Sequence, residues 1–568
     1  MTVMRSPFEQ SRLIGTVTEC TPTSVRINLP HAGDNSGISA HGESFGAGEV
    51  GEFVCIETSH HAILGRINLV KLPERERTAV EPHMGKPPDL SPIGVVQLLS
   101  SVCLENGEVQ PGIAAFPRIG SAVYSAHPDL LCRMAEFAKS TSSSQWTMEL
   151  AVLAGDAGTG VKITPEKLFG RHCAILGATG GGKSWTIARI MESLQGSRAK
   201  LLLLDATGEY HTCRADVKHV HFGDAQFPAT SEEVVLPYKS VSVHELVAMF
   251  RPSGQAQGPK LRGAIKTLKL LKANPALGTG GVFAKANQPK GPFRLAMQTH
   301  LAVVDSDEAD FEINRLPLQI EHECCFNTAA GNPPPDTWGN VNGSEQGYCA
   351  SLISRITAMT SSAELACIFR PGTKKSLLTA IEEWLAEPAQ RVLRVSMRNV
   401  SFAYDARSIV ANTIGKHLLK QGREGHFLSL PLVVVLDEAH NFINRSIGEE
   451  GAKQALDAFE NIAREGRKFN LTIGLATQRP RDLPESVLSQ MGTMIVHRLT
   501  NNSDREIVEK ASGDIDRSAA SFLPSLSPGE AVLIGTDFAF PLSIRIVRPV
   551  HPPDSKGPDY QNYWAPIT

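Results

Sequence analysis

The sequence predicts an α/β protein: a mainly parallel sheet between helices, preceded by a small β-barrel and interrupted by a helical insertion. Three observations lead there. A glycine-rich loop, Gly177-Ala178-Thr179-Gly180-Gly181-Gly182-Lys183-Ser184, stands between an apolar run at 173–176 and a helix-like run at 185–194. Apolar runs at 201–204 and 430–436 are far too short to cross a bilayer, and read as strands buried on both faces. The first portion instead carries short, alternating strands separated by glycine and histidine turns.

Along the chain, residues 24–29 alternate apolar and polar side chains, and 53–56 and 63–69 follow as further strands. Pro- and Gly-rich connections continue to about 124, a helix runs from 128 to about 138, and a polar stretch at 140–145 leads onward. Residues 1–150 are therefore expected to form a barrel plus linker. Residues 151–245 hold the first part of the core, where 174–176, the helix after the loop and 201–205 make a strand–helix–strand unit. Residues 246–400 turn helical and polar, with an irregular stretch at 329–347, and read as an insertion. Core alternation returns over 401–550: helix 406–419, strand 432–436, a helix ending near 466, strand 471–476 and a closing hairpin of 530–534 with 542–546. A Pro-rich tail, 551–568, ends the sequence, and no internal repeat is visible.

At 568 residues the chain is too long for one core, and roughly two or three domains are expected. A composition of 42% hydrophobic and 20% charged residues suits a soluble globular protein. The net charge of -3 is no global nucleic-acid signature, so DNA contact would need a local patch or a pore built by several subunits. The 10 cysteines are scattered, apart from adjacent Cys324 and Cys325, and suggest a reduced, cytoplasmic chain without a zinc site. The N-terminal residues show no signal-peptide core.

The chemistry starts at the glycine loop. Strand, loop and helix in that order make a phosphate cradle: glycines let backbone N–H groups close on phosphate oxygens, and the helix N-terminus adds a positive dipole. Lys183 would reach the β- and γ-phosphates and Ser184 would hold Mg²⁺, with Trp185 next in line. Residues 433–438 end a buried strand in Asp437 and Glu438, at the edge where α/β sheets bind ligands. Asp437 suits Mg²⁺ and Glu438 suits the base that polarises an attacking water. Their plainer reading is a surface acidic pair opening a helix. Thr477-Gln478 ends another strand, where Gln478 could sense the γ-phosphate or simply sit in a polar loop. Asp205 ends a third strand and could support the metal or water, or merely cap a turn.

A transition state gaining negative charge needs a guanidinium. Arg171 precedes the strand that leads into the loop, so it lies at the opposite edge from its own phosphates and could reach a neighbour's site in a ring. Arg464 and Arg467, around Gly466, are the other candidates, each equally readable as a solvated surface arginine.

RHCAILGATGGGKS, LLLLDATGEY, VVVLDEAHNF, AREGRKFNLTIGLATQRP and GEAVLIGTDFAFPLSIRI together resemble the HerA/FtsK-type ring translocases, and HerA in particular. The resemblance covers most of a RecA-like P-loop NTPase core. The strands VGEFVCIE and AILGRINLV are similar to that family's small N-terminal barrel, while the insertion matches by position only. The resemblance implies a homohexameric ring that hydrolyses ATP with Mg²⁺ at subunit interfaces and moves double-stranded DNA through its centre. It sets Lys183 and Ser184 as the loop pair, Asp205 at a family acidic position, Asp437 and Glu438 as the Mg²⁺ and water pair, and Arg171 as the trans-acting arginine. Arg464 or Arg467 matches a further arginine, and Leu542 and Ser543 of the final hairpin are candidates for base or ribose contacts. It also implies a separate nuclease, or an antiviral-defence effector such as a sirtuin-type NADase, as partner, and no membrane.

Pore contacts would fall on phosphates and be salt-sensitive. Asn444-Arg445 is one candidate. The stretch 260–272 is another, although Leu261, Ile265, Leu268 and Leu271 share one face and favour a packed surface helix. Two functional readings stay open: a DNA motor, and an ATP-switched ring scaffold that regulates an effector. A proton-driven rotary ATPase subunit shares the layout, but the insertion and the 477–480 strand end fit it less well.

Overall fold

The computed structural model describes residues 6–32, 38–40, 43–46, 48–73, 91–136, 146–214, 216–224, 228–331, 336–443, 445–448, 453–511, 517–555 and 560–564. The expected linker at 140–145 and Asn444 lie outside them. The chain divides into two compact units: residues 1–193, 476–481 and 485–550 form the first, and 194–475, 482–484 and 551–568 the second.

The first unit opens with the barrel. Its strands run in the order Ser24–Asn28, Leu13–Cys20, Ala122–Ser125, Phe53–Glu57, His61–Lys71, Ile93–Cys103 and Val109–Pro111, and pairing of Ser24–Asn28 with Ile93–Cys103 closes it. Every pairing is antiparallel, so inward residues alternate with outward ones. Ile14, Val17, Val25, Ile27, Val54, Ile56, Ile63, Ile67 and Val96 fill the interior. A Cβ at Gly15 would lie 1.9 Å from the Asn28 carbonyl oxygen, so only glycine permits that closure.

The same unit holds a strand series in the order Asp156–Ile163, Met148–Leu153, Leu542–Ile546, Glu530–Gly535, Thr493–His497 and Cys173–Leu176. Its pairs are antiparallel except the last, which is parallel. The closing hairpin therefore sits inside this series, with Met148–Leu153 beside it.

The second unit carries the parallel set: residues 471–475 of strand Leu471–Thr477, then Leu432–Leu436, Lys200–Asp205, Val392–Ser396, Val217–His221, Glu232–Val235 and Lys375–Ser376. Lys200–Asp205 is buried throughout, as its run of leucines requires. Helix Ala406–Arg423 buries much of its length in this unit. Within 246–400, helices include Gly254–Ala273, Lys290–Thr299, Leu316–Glu323, Gly343–Ser361 and Leu377–Ala386. Val392–Ser396 is a sheet strand pairing with both Lys200–Asp205 and Val217–His221, so the expected helical insertion contains a core strand. Its short VLRVS run is buried throughout, Arg394 included.

In Gly254–Ala273, Leu261, Ile265, Leu268 and Leu271 are buried. Its lysines are engaged: Lys260 with Glu345, Lys266 with Asp305, Lys269 with the Ser306 carbonyl and Lys272 with Asp310. Those partners make it a packed surface helix. The tail is tethered where it begins, since Thr212 Oγ1 donates to the Pro552 carbonyl at 2.8 Å and the Asp554 N–H to the Glu209 carbonyl at 2.8 Å. All 10 cysteines are free thiols. No helix among the described residues is long and apolar enough to cross a membrane.

Candidate functional site

The glycine loop belongs to the first unit. Strand Cys173–Leu176 is buried throughout and releases the loop at its carboxyl end, and helix Lys183–Ser193 begins where the loop finishes. Gly180 and Gly182 take φ of 74° and 121°, conformations that L side chains rarely adopt. Neighbouring backbone holds the loop. The Gly177 N–H donates to the Thr477 carbonyl at 3.3 Å, the Ala178 N–H to Arg498 at 2.9 Å and the Gly529 N–H to Gly181 at 3.1 Å. Lys183 is 7% exposed, and its ammonium donates to the carbonyls of Gly177 at 2.9 Å and Ala178 at 3.2 Å. Exposed Thr179 donates from its hydroxyl to Gln478 Oε1 at 2.5 Å, bringing two sequence-expected residues together. Ser184 and Trp185 are half-buried, and the Arg548 guanidinium lies 5.7 Å from the Trp185 ring centroid.

Beneath the loop lies a residue that sequence reasoning missed. His497 ends strand Thr493–His497 and is wholly buried. Its Nδ1 lies 2.8 Å from the Glu530 carbonyl oxygen and its Nε2 2.8 Å from Thr186 Oγ1. Burial, then the nearby Lys183 charge, holds its pKa down to about 4, so the ring is neutral. A carbonyl only accepts, so Nδ1 carries the proton and Nε2 accepts from Thr186.

The acidic residues belong to the second unit. Strand Leu432–Leu436 delivers Asp437, which is 3% exposed and whose N–H donates to the Leu204 carbonyl at 3.1 Å. Glu438 then takes φ 50°, ψ 50°, a left-handed conformation uncommon outside glycine. Its Oε2 lies 3.3 Å from His440 Nδ1. A strained backbone that aims a carboxylate is a recurrent feature of reactive sites.

Asp205 is fully buried and fully engaged. Its Oδ1 accepts from the Gly208 N–H at 2.7 Å, and its Oδ2 from the Tyr210 N–H at 3.2 Å and from Arg394 Nε at 2.7 Å. These are the bonds of a turn cap and a buried ion pair. Arg394 was missed by sequence reasoning, although an arginine inside VLRVS was its signal.

Arg171 is exposed in the turn before Cys173–Leu176 and donates to Thr536 Oγ1 at 3.1 Å. The strand separates it from its own loop by about 13 Å, at about 3.3 Å per residue. Arg464, on helix Ala458–Glu465, lies 3.7 Å from Glu460, and Arg467 is exposed in the following 3-10 turn, Gly466–Phe469. Leu542 is wholly buried in the hairpin. Ser543 Oγ accepts from Arg66 Nη2 of the barrel at 3.3 Å. The Arg66 guanidinium also lies 3.9 Å from the Phe522 ring centroid, and Arg66 is a third residue that sequence reasoning missed. Arg445 is exposed on the short strand Arg445–Ile447, with Nη2 donating to the His440 carbonyl at 2.8 Å.

A glycine loop that opens a helix, together with buried parallel strands ending in acidic residues, defines a P-loop ATPase. Residues 149–288 match the family model described as Helicase HerA, central domain, and residues 426–534 that described as Helicase HerA-like C-terminal. The chain thus carries two HerA-type helicase domain matches on a P-loop ATPase core. It is 24% identical over 466 residues to the DNA double-strand break repair helicase HerA of Pyrococcus furiosus, covering 80% of this chain and 77% of the relative. It is 22% identical over 462 residues to the probable helicase MJECL08 of Methanocaldococcus jannaschii, covering 80% and 78%. Among solved structures, the bacterial conjugative coupling protein TrwB aligns with TM-score 0.43 at 13% identity, covering 76% of this chain and 95% of TrwB. VirB4 of Thermoanaerobacter pseudethanolicus aligns with TM-score 0.41 at 13% identity, covering 75% and 100%.

Proposed function

We propose that this ATPase works as a homohexameric ring that translocates double-stranded DNA and hydrolyses ATP at subunit interfaces. One observation carries the ring. Arg171 stands exposed at the far end of the strand that leads to its own phosphate loop. An arginine there serves phosphoryl transfer only from the adjacent subunit. DNA as cargo is supported by the relatives named as DNA double-strand break repair helicases.

Within a site, Lys183 binds the β- and γ-phosphates, and Glu438 orients the attacking water. Gln478, tied to the loop through Thr179, responds to the γ-phosphate. Ser184 and Asp437 offer hard oxygen ligands that fit Mg²⁺, which would supply charge neutralisation on the phosphates. Asp205 positions the turn after its strand, and Arg464 or Arg467 adds a further cation. A separate nuclease or antiviral effector completes the activity.

The test is ATP hydrolysis with and without duplex DNA across a salt series. Stimulation that declines with salt supports the motor, and a rate indifferent to DNA, with and without the partner, overturns it.

A second reading, the ATP-switched scaffold, draws on the Arg66–Ser543 contact, which ties the barrel to the closing hairpin. Glu438→Gln separates the two. A motor stops when hydrolysis stops, whereas a scaffold keeps its effector active on bound ATP.

A further inference from the structure

The phosphate loop is short of side chains and rich in conformational freedom, so something must hold it in one shape. Five of its eight residues, Gly177 to Ser184, carry no charge or bulk that could do so: Gly177, Ala178, Gly180, Gly181 and Gly182. Ordering such a segment costs backbone entropy at every residue. His497 is the solid object beneath it. A Cβ on Gly177 would lie 2.6 Å from the His497 Cβ, one on Gly181 3.3 Å from it, and one on Gly182 2.9 Å from His497 Cε1. The loop is thus laid directly on this side chain: the floor leaves no room for a side chain at Gly177 or Gly182, and at Gly182 the φ of 121° disfavours one as well.

The floor itself is fixed at both ring nitrogens. Nδ1–H donates to the Glu530 carbonyl, at the start of the closing hairpin, and Nε2 accepts from Thr186 in the first turn of the helix that begins at Lys183. The ring therefore joins three pieces of the first unit: the strand beside the loop, the hairpin, and the helix whose N-terminus faces the phosphates. The Gly529 N–H, one residue before Glu530, closes the same circuit by donating to the Gly181 carbonyl.

We propose that His497 is a positioning residue for nucleotide binding: its imidazole, locked between Glu530 and Thr186, sets the loop shape in which backbone N–H groups and Lys183 meet the phosphates. It touches no phosphate and acts through the loop. The inference rests on the nucleotide-binding role of the loop and is independent of DNA translocation.

The experiment measures ATP affinity, KM and kcat for His497→Ala, His497→Asn and Thr186→Val in the full chain, with thermal unfolding followed without nucleotide. Loss of the buried bonds weakens ATP binding in folded His497→Ala by roughly tenfold to a hundredfold, with KM rising more than kcat falls. Thr186→Val moves affinity the same way by a smaller factor. His497→Asn recovers part of the loss, because its amide can donate to the Glu530 carbonyl in place of Nδ1. A folded His497→Ala chain with wild-type affinity overturns the proposal, as does a drop in melting temperature with no change in affinity or KM. If His497→Ala does not fold, Thr186→Val decides alone, and unchanged affinity there overturns it. Lys183→Ala run alongside separates the two levels. Wild-type chain that binds no ATP would sink the loop reading itself, whereas wild-type binding lost in Lys183→Ala leaves the His497 result to bear on this inference only.

Discussion

Arg394 Nε donates to Asp205 Oδ2 at 2.7 Å, and the two side chains are 1% and 0% exposed. Arg394 Nη2 also donates to the Gly208 carbonyl at 2.9 Å, and Asp205 accepts from the Gly208 and Tyr210 N–H groups. One ion pair thus ties strand Val392–Ser396 to the turn after Lys200–Asp205. Removing only the guanidinium leaves a buried carboxylate with no countercharge at 2.7 Å. Arg394→Ala is expected to cost about 3–5 kcal/mol of stability, read from a urea midpoint. Asp205→Asn combined with Arg394→Met should cost less than Arg394→Ala alone, because no charge stays buried. A wild-type midpoint for Arg394→Ala would refute the coupling.

Glu438 combines a left-handed backbone with a carboxylate 3.3 Å from His440. Its amide analogue keeps size and polarity but cannot take a proton. Glu438→Gln should therefore bind ATP with near wild-type affinity while single-turnover hydrolysis falls by about 10²–10⁴. Loss of binding with hydrolysis in proportion would assign the residue to nucleotide capture instead.

Arg171 offers a test that reads assembly as well as chemistry. Arg171→Ala is expected to retain ATP binding and lose roughly 10³-fold or more in turnover, the scale of a trans-acting arginine. Mixing it with Lys183→Ala chains creates interfaces that hold one intact loop and one intact arginine. Partial recovery in exchanging mixtures supports action across the interface. Activity that stays additive in the mixture argues that Arg171 serves its own subunit or only its bond to Thr536.

The glycine loop, the acidic strand end and the Thr477-Gln478 strand end were legible because each couples a local residue pattern to a change of hydrophobic period. The barrel strands were legible for the same reason: short alternating runs bounded by glycine turns leave little choice. Val392–Ser396 was hidden inside a helical stretch, since an apolar run this short carries no periodicity of its own. His497 and Arg394 were hidden differently. Their roles depend on partners far along the chain, His497 on Glu530 and Thr186, Arg394 on Asp205, and a long-range hydrogen bond leaves no local signature. The same holds for Arg66, whose partner Ser543 lies in the last hairpin. For Leu542 the resemblance supplied the position, and its burial follows from the two-residue alternation of its own strand.

Two buried histidines make stability depend on pH in a stated direction. His497 is wholly buried, and burial, then Lys183, lowers its pKa from 6.5 to about 4. His219 is 6% exposed; burial and then the Arg394 charge lower its pKa from 6.5 to about 4, and its Nε2 lies 2.8 Å from the Cys213 carbonyl oxygen. Between those two values the unfolded chain binds the proton and the folded chain does not, so folding stability rises with pH across the window. The contribution is complete above 6.5 and is lost as pH falls through about 4. For each ring it amounts to about 3 kcal/mol at about 1.4 kcal/mol per pH unit. Carboxylates titrate at the lower end of the same range, so the informative quantity is the difference between wild type and His219→Gln. The variant should show a shallower fall in urea midpoint from about pH 6.5 to pH 4.5. Superimposable slopes would mean that His219 protonates in the folded chain at its ordinary pKa, with the Arg394 guanidinium too far or too well screened to oppose it.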